Sequence, residues 1–155
     1  VVTGVDAAAE NIDIAKAHAA GHGLSIDYRR ADVAELRGQF DLITSMEVIE
    51  HVANPAAFLA ALGARLAPGG LMILSTPNRT GRSKLAMITL GEGLGAIPKG
   101  THDWNKFLTP EELEAFAAKA GLKLIDRRGL SFSVSRGFVL SDDMSLNYLM
   151  ALVRG

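Results

Sequence analysis

Residues 40–77 read FDLITSMEVIEHVANPAAFLAALGARLAPGGLMILSTP, and this stretch decides the fold. Phe40 to Met46 is an apolar run of strand length. Asn54 can cap a helix, and Pro55 follows it at the first turn, where the missing N–H costs nothing. Phe58, Leu59, Leu62 and Leu66 then recur at helical spacing. Pro68-Gly69-Gly70 stops the helix, and Leu71 to Pro77 reads as the next buried strand. Strand, helix and strand in series form a βαβ unit with a right-handed crossover, hence a mostly parallel sheet with helices on both faces.

The same alternation extends both ways. Val1 to Asp6 is β-branched and ends in an acid, and Ile12, Ile14, Ala15, His18 and Ala19 form a helical stripe stopped by Gly21 and Gly23. Ser25 to Arg30 alternates like a short strand, followed by Asp32. Thr109-Pro110-Glu111-Glu112 opens a later helix with a capping box, and Gly121 closes it. Leu122 to Asp126 and Asn147 to Val153 are expected as the last two strands, antiparallel. One α/β domain over residues 1–155 is expected. Asn78 to Trp104 holds five glycines and no periodicity, which suits a lid or binding loop. The chain opens without methionine in what reads as a strand already under way, so a preceding segment is expected.

Composition narrows the function classes. The chain is 48% hydrophobic and 21% charged, ordinary for a globular domain. A formal net charge of -1 supplies no field that would draw it to nucleic acid. The absence of cysteine excludes disulfides and thiolate metal sites and fits a reducing cytoplasm. No apolar run reaches the roughly 18 residues of a membrane span, and no basic-then-apolar stretch reads as a signal peptide.

Ligands of open α/β sheets bind beyond the carboxyl ends of the strands. Asp6 stands at such an end, where an acid commonly accepts hydrogen bonds from ribose hydroxyls. Asp32, with Val33 beside it, ends the next strand within reach of an adenine amino group. Helix capping is the competing reading for each acid. The glycine-rich loop of a dinucleotide site is absent from the 155 residues, so it is expected upstream if the pocket is real.

The series VTGVDAA, YRRADV, FDLITSMEVIEHVANP and LAPGGLMILSTPNR resembles the class I S-adenosylmethionine (SAM) dependent methyltransferases. STPNRTGRSKLAMI, IPKGTHDWNKFLTPEEL and the terminal NYLM narrow the resemblance to the ubiquinone-biosynthesis O-methyltransferases, with Phe132 to Leu140 outside any family pattern. The resemblance implies a Rossmann-like class I methyltransferase sheet, mostly parallel with an antiparallel last strand, whose first strand and glycine loop are missing here. It implies that Asp6 binds the SAM ribose, that Met46 lies against the cofactor, and that Glu47, Glu50 and His51 are associated with a divalent cation such as Mg2+. It further implies a polyprenylated catechol substrate, a place in a ubiquinone-synthesis complex, and a cytoplasmic enzyme at the inner face of the membrane.

Glu47, Glu50 and His51 stand at i, i+3 and i+4, and a helical turn starting at Met46 or Glu47 would put all three on one face. Two carboxylates and an imidazole suit magnesium or manganese. A cation on a catechol would favour the phenolate of a group whose pKa is ~10. Without a metal, His51 can take the proton, with Glu50 beside it. His102 and Asp103 are alternative acid–base groups, and Trp104 offers a ring for stacking or an anchor for the loop. Leu85, Met87, Ile88, Leu90, Leu94 and Ile97, flanked by Arg79, Arg82, Lys84 and Lys99, suit either an ordinary cover or contact of residues 79–99 with a bilayer surface. A quinone C-methyltransferase, a methyltransferase for small soluble acceptors, a NAD-dependent oxidoreductase and a non-catalytic domain remain as alternatives.

Overall fold

In the computed structural model, which describes residues 1–86, 103–133 and 135–155, the chain divides into two compact units, Val1–Gly38 and Gln39–Gly155. In the first unit β1 (Val2–Asp6) pairs in parallel with β2 (Ile26–Arg30), in register from Val2 opposite Ile26 to Asp6 opposite Arg30. Parallel neighbours need a crossover, and α1 (Ala9–Gly21) supplies it. Ile12 and Ala19, two turns apart on α1, are its buried positions, while Ile14 of the expected stripe is 63% exposed.

The second unit holds β3 (Phe40–Met46), α2 (Pro55–Arg65), β4 (Leu66–Pro77), the single-turn α3 (Gly81–Ser83), α4 (Pro110–Lys119), β5 (Leu122–Ser133), β6 (Gly137–Ser141) and β7 (Asn147–Arg154). Its strands lie in the order β3-β4-β7-β5-β6. β3 and β4 are parallel, and β7 is antiparallel to both β4 and β5, so β5 runs with β3 and β4. The expected parallel framework with an antiparallel last strand is therefore present, and that last strand lies inside the sheet. Tyr148, Met150 and Leu152 alternate into the core from β7, and Leu59 and Leu62 of α2 and Leu113 and Ala117 of α4 are buried as well.

Three boundaries depart from the sequence reading. Helix α2 ends at Arg65, and Leu66 already pairs with Phe40, fully buried. Pro68-Gly69-Gly70 is thus an irregularity inside β4, with Gly69 at φ 76, and the register slips between Phe40 and Leu42 to absorb it. β5 continues seven residues beyond Asp126 and turns back as β6, forming a hairpin. A Cβ on Gly129 would lie 1.9 Å from the Asp143 carbonyl oxygen, so only glycine lets that backbone cross β5.

Both helix starts follow the expected chemistry. The Asn54 side chain accepts from the Ala57 N–H at 3.0 Å, and Thr109 and Glu112 close a capping box. Of the expected lid, Met87, Ile88, Leu90, Leu94, Ile97, Lys99 and His102 lie outside the described residues. Its described ends are tied down. The Thr80 hydroxyl donates to the Ser145 carbonyl, the Trp104 indole N–H donates to the Thr80 carbonyl at 3.0 Å, and the Lys84 ammonium stands 4.8 Å above the Trp104 ring. Trp104 therefore acts as a loop anchor. Among the described residues no helix is long and apolar enough to cross a membrane.

Candidate functional site

Because β3 and β4 are parallel, Met46 and Pro77 finish at the same end of the sheet, and Asn147 opens β7 opposite Pro77. Three polar groups gather there at the ends of β4 and β7: Ser75, Thr76 and Asn147. Chain turning past Met46 carries Glu47 into this group at φ 55, a left-handed conformation that costs a side-chain-bearing residue energy. The turn is held by hydrogen bonds. The Glu47 N–H donates to the Ser75 carbonyl at 3.1 Å, the Ser75 hydroxyl donates to Glu47 Oε1 at 2.5 Å, and Asn147 Nδ2 donates to Glu47 Oε2 at 2.8 Å.

A short 3₁₀ turn, Ile49–His51, follows. It turns Ile49 and Glu50 inward and leaves the His51 side chain half exposed. Glu50 is 2% exposed, and its Oε2 accepts from the Thr76 hydroxyl at 2.9 Å. Its Oε1 is buried without a hydrogen-bond partner among the described residues and lies 3.8 Å from His51 Nε2. Burial pushes the Glu50 carboxyl up to about 7, and the nearby negative charge of Glu47 adds to this against the Thr76 hydrogen bond. An acid held near neutrality beside an imidazole has the chemistry to exchange a proton with a ligand.

The expected helical face does not form. The left-handed Glu47 and the tighter 3₁₀ turn break the i, i+3, i+4 stacking, and among the described residues no three His, Asp or Glu side chains are placed to hold a metal ion. Both Glu47 oxygens are engaged by Ser75 and Asn147, and Glu50 faces Thr76. The donor set Glu47, Glu50 and His51 therefore does not fit Mg2+, which demands near-octahedral oxygen ligation. Met46 is 47% exposed at the strand end, available for contact with a ligand. Asp103 caps the turn at Trp104, accepting from the Asn105 N–H at 3.0 Å.

In the first unit Asp6 closes β1. Its Oδ1 accepts from the Ala8 N–H at 2.7 Å and its Oδ2 from Asn11 Nδ2 at 3.0 Å. Asp32 caps the turn Val33–Glu35, accepting from the Ala34 N–H at 2.8 Å, while Glu35 accepts from the Asp32 N–H. Both acids thus shape the chain locally. A carboxylate has about four acceptor sites, so each keeps capacity for a ligand donor.

Residues 1–127 match the family model described as a methyltransferase domain. The chain belongs to the methyltransferase-domain family. A ubiquinone biosynthesis O-methyltransferase of Cereibacter sphaeroides is 48% identical over 99% of this chain, and one of Dinoroseobacter shibae is 45% identical over 99%. The chain spans 64% of the length of both these relatives. Solved structures share the fold at low identity. A SAM-dependent methyltransferase from Clostridium acetobutylicum has a TM-score of 0.69 at 15% identity, covering 99% of this chain and 74% of its own. A magnesium protoporphyrin IX methyltransferase from Synechocystis has a TM-score of 0.69 at 17% identity, covering 100% and 64%. This methyltransferase domain thus has the class I SAM-dependent fold. Sequence reasoning missed Ser75, Thr76 and Asn147. The signal was a pair of hydroxyl residues at the end of an apolar strand, where burial obliges each to find a partner.

Proposed function

We propose that this chain serves a SAM-dependent O-methyltransferase acting on polyprenylated catechols of ubiquinone synthesis, 2-polyprenyl-6-hydroxyphenol and 3-demethylubiquinol. The observation that carries this reading is the 43–49% identity, over 97% or more of the chain, to relatives named ubiquinone biosynthesis O-methyltransferase. SAM would supply a methyl group on a sulfonium, which needs an aligned oxygen nucleophile and little else. In the first unit Asp6 would accept the ribose hydroxyls, with Asp32 and Val33 toward the adenine. In the second, Met46 is exposed at the end of β3 for contact with a ligand.

The demanding step is removing a proton from a phenol of pKa ~10. His51 takes that proton in this reading, being the exposed imidazole just past the β3 end. Glu50, 3.8 Å away, supports the imidazolium that results once it is ionised, above about pH 7, and Thr76 holds Glu50 in place. A polyprenylated acceptor resides in a bilayer, and the exposed Leu85 near Arg82 and Lys84 is the described part of the segment that would meet it.

The test uses the natural protein that contains this chain, a polyprenyl catechol and labelled SAM. O-methylated product is expected; methylation on ring carbon would favour a quinone C-methyltransferase instead. His51→Gln should lower kcat, change SAM affinity little and remove the limb of the pH profile that the base controls. Asp6→Asn, which keeps an acceptor for Ala8, should lose part of a charged hydrogen-bond pair worth about 1.5–3 kcal/mol in SAM binding. Turnover abolished by chelation and restored by magnesium would overturn the base assigned to His51.

A further inference from the structure

The outer strand of the five-stranded sheet, β6, carries the sequence GFVLS between Arg136 and Asp142. Among the described residues β6 pairs with β5 alone, so its other edge presents a row of backbone N–H and C=O groups. Edge strands are ordinarily protected from pairing by charges, proline or bulges. β6 contains no charge and no proline, and its register with β5 is unbroken from Gly137 to Ser141. Two residues of one face, Phe138 and Leu140, are 72% and 65% exposed. An uncharged, apolar strand edge of this kind is suited to receive another strand.

The sequence around β6 is complementary to itself when reversed. We infer that β6 pairs antiparallel with β6 of a second copy about a two-fold axis through Val139, joining the two five-stranded sheets. In that register Phe138 lies opposite Leu140 of the second copy, Gly137 opposite Ser141, and Arg136 opposite Asp142. The two-fold axis repeats every contact, as an isologous interface requires. Directly opposed residues share a face, so the exposed Phe138 and Leu140 of both copies form one apolar cluster. The charges match as well. Arg136 makes no ion pair among the described residues. The Asp142 side chain is 91% exposed, with Oδ1 taking Arg128 of its own chain at 2.6 Å and Oδ2 left for Arg136 of the second copy. Parallel pairing, or a shift by one residue, would lose the charge match or turn the apolar residues to opposite faces.

The natural protein should sediment as a concentration-dependent dimer. Arg136→Asp sets two like-charged pairs across the axis and should weaken that dimer roughly tenfold or more, with the circular dichroism spectrum unchanged. The chain has no cysteine, so Val139→Cys introduces a single thiol that faces its own copy. Opposed antiparallel residues have a Cα separation of about 4.5–5.5 Å, within disulfide range. Copper–phenanthroline oxidation should therefore cross-link Val139→Cys rapidly, cross-link a control cysteine at the exposed Ile14 slowly, and lose its effect when Arg136→Asp is added. A protein that stays monomeric at every concentration overturns the inference. So does a dimer in which Val139→Cys cross-links no faster than Ile14→Cys, since that dimer is built elsewhere.

Discussion

Glu47 is a charged residue in a conformation that glycine favours, retained because its carboxylate bridges Ser75 and Asn147. Both Glu47→Ala and Glu47→Gly remove that bridge, but only alanine keeps the left-handed strain. Glu47→Gly should therefore be the more stable variant by about 1 kcal/mol, the reverse of the usual order, as measured by urea denaturation. Glu50 illustrates a different cost. The folded chain holds its proton up to about 7, while the ordinary glutamate value is 4.5. Between those values the unfolded chain has released the proton and the folded chain has not. Stability must fall as pH rises through that window and stay lower above it. Glu50→Gln, which still accepts from Thr76, should gain about 2 kcal/mol over the natural protein at pH 8 and almost nothing at pH 4.

At the scale of elements, α4 shows how a local signal is reinforced by tertiary structure. Thr109 and Glu112 close the capping box that their spacing predicts, and Arg79 from the end of β4 adds an ion pair to Glu112. The Thr109 N–H bond holds the Glu112 carboxyl below its usual range, and Arg79 adds to this. Thr109→Ala should cost about 1 kcal/mol in chemical denaturation, the ordinary value of a lost cap. The Glu112 contribution is present above the ordinary glutamate range and fades as pH falls through its lowered value, but Thr109→Ala keeps the backbone N–H that makes this bond, so the cost of losing the cap should change little in acid. The β5–β6 hairpin had no comparable local signal. Gly129 lies inside β5 and Gly137 opens β6, assignments that rest on the register of β5 with β7 and β6.

For the whole chain, the two units differ in how much they bury. Val1–Gly38 has two strands, one helix, and Ile12 and Ala19 as its buried apolar residues. Gln39–Gly155 has five strands and buries Leu59, Leu62, Leu66, Met72, Leu74, Phe107, Leu113, Met150 and Leu152 among others. A two-stranded sheet is marginal without a substantial apolar face. Hydrogen exchange on this chain should show amides of β1 and β2 exchanging well before those of β4 and β7, through local opening of the smaller unit. Equal protection in both units would contradict this.

What the sequence determined by itself was everything set by local chemistry. The period of apolar residues, the caps at Asn54 and Thr109, and the acids closing strands specify a βαβ series and place Asp6, Asp32, Met46, Glu47, Glu50 and His51 at or just beyond strand ends. These signals act within a few residues of one another, so they survive in a linear reading. Tertiary structure decided the rest. Whether Glu47, Glu50 and His51 converge depends on the backbone at Glu47, and Ser75 and Asn147, distant in sequence, hold that backbone. The inward turn of Glu50 depends likewise on Thr76, 26 residues away. Spacing cannot encode such bonds, because strand pairing chooses the partners after the helices and strands exist.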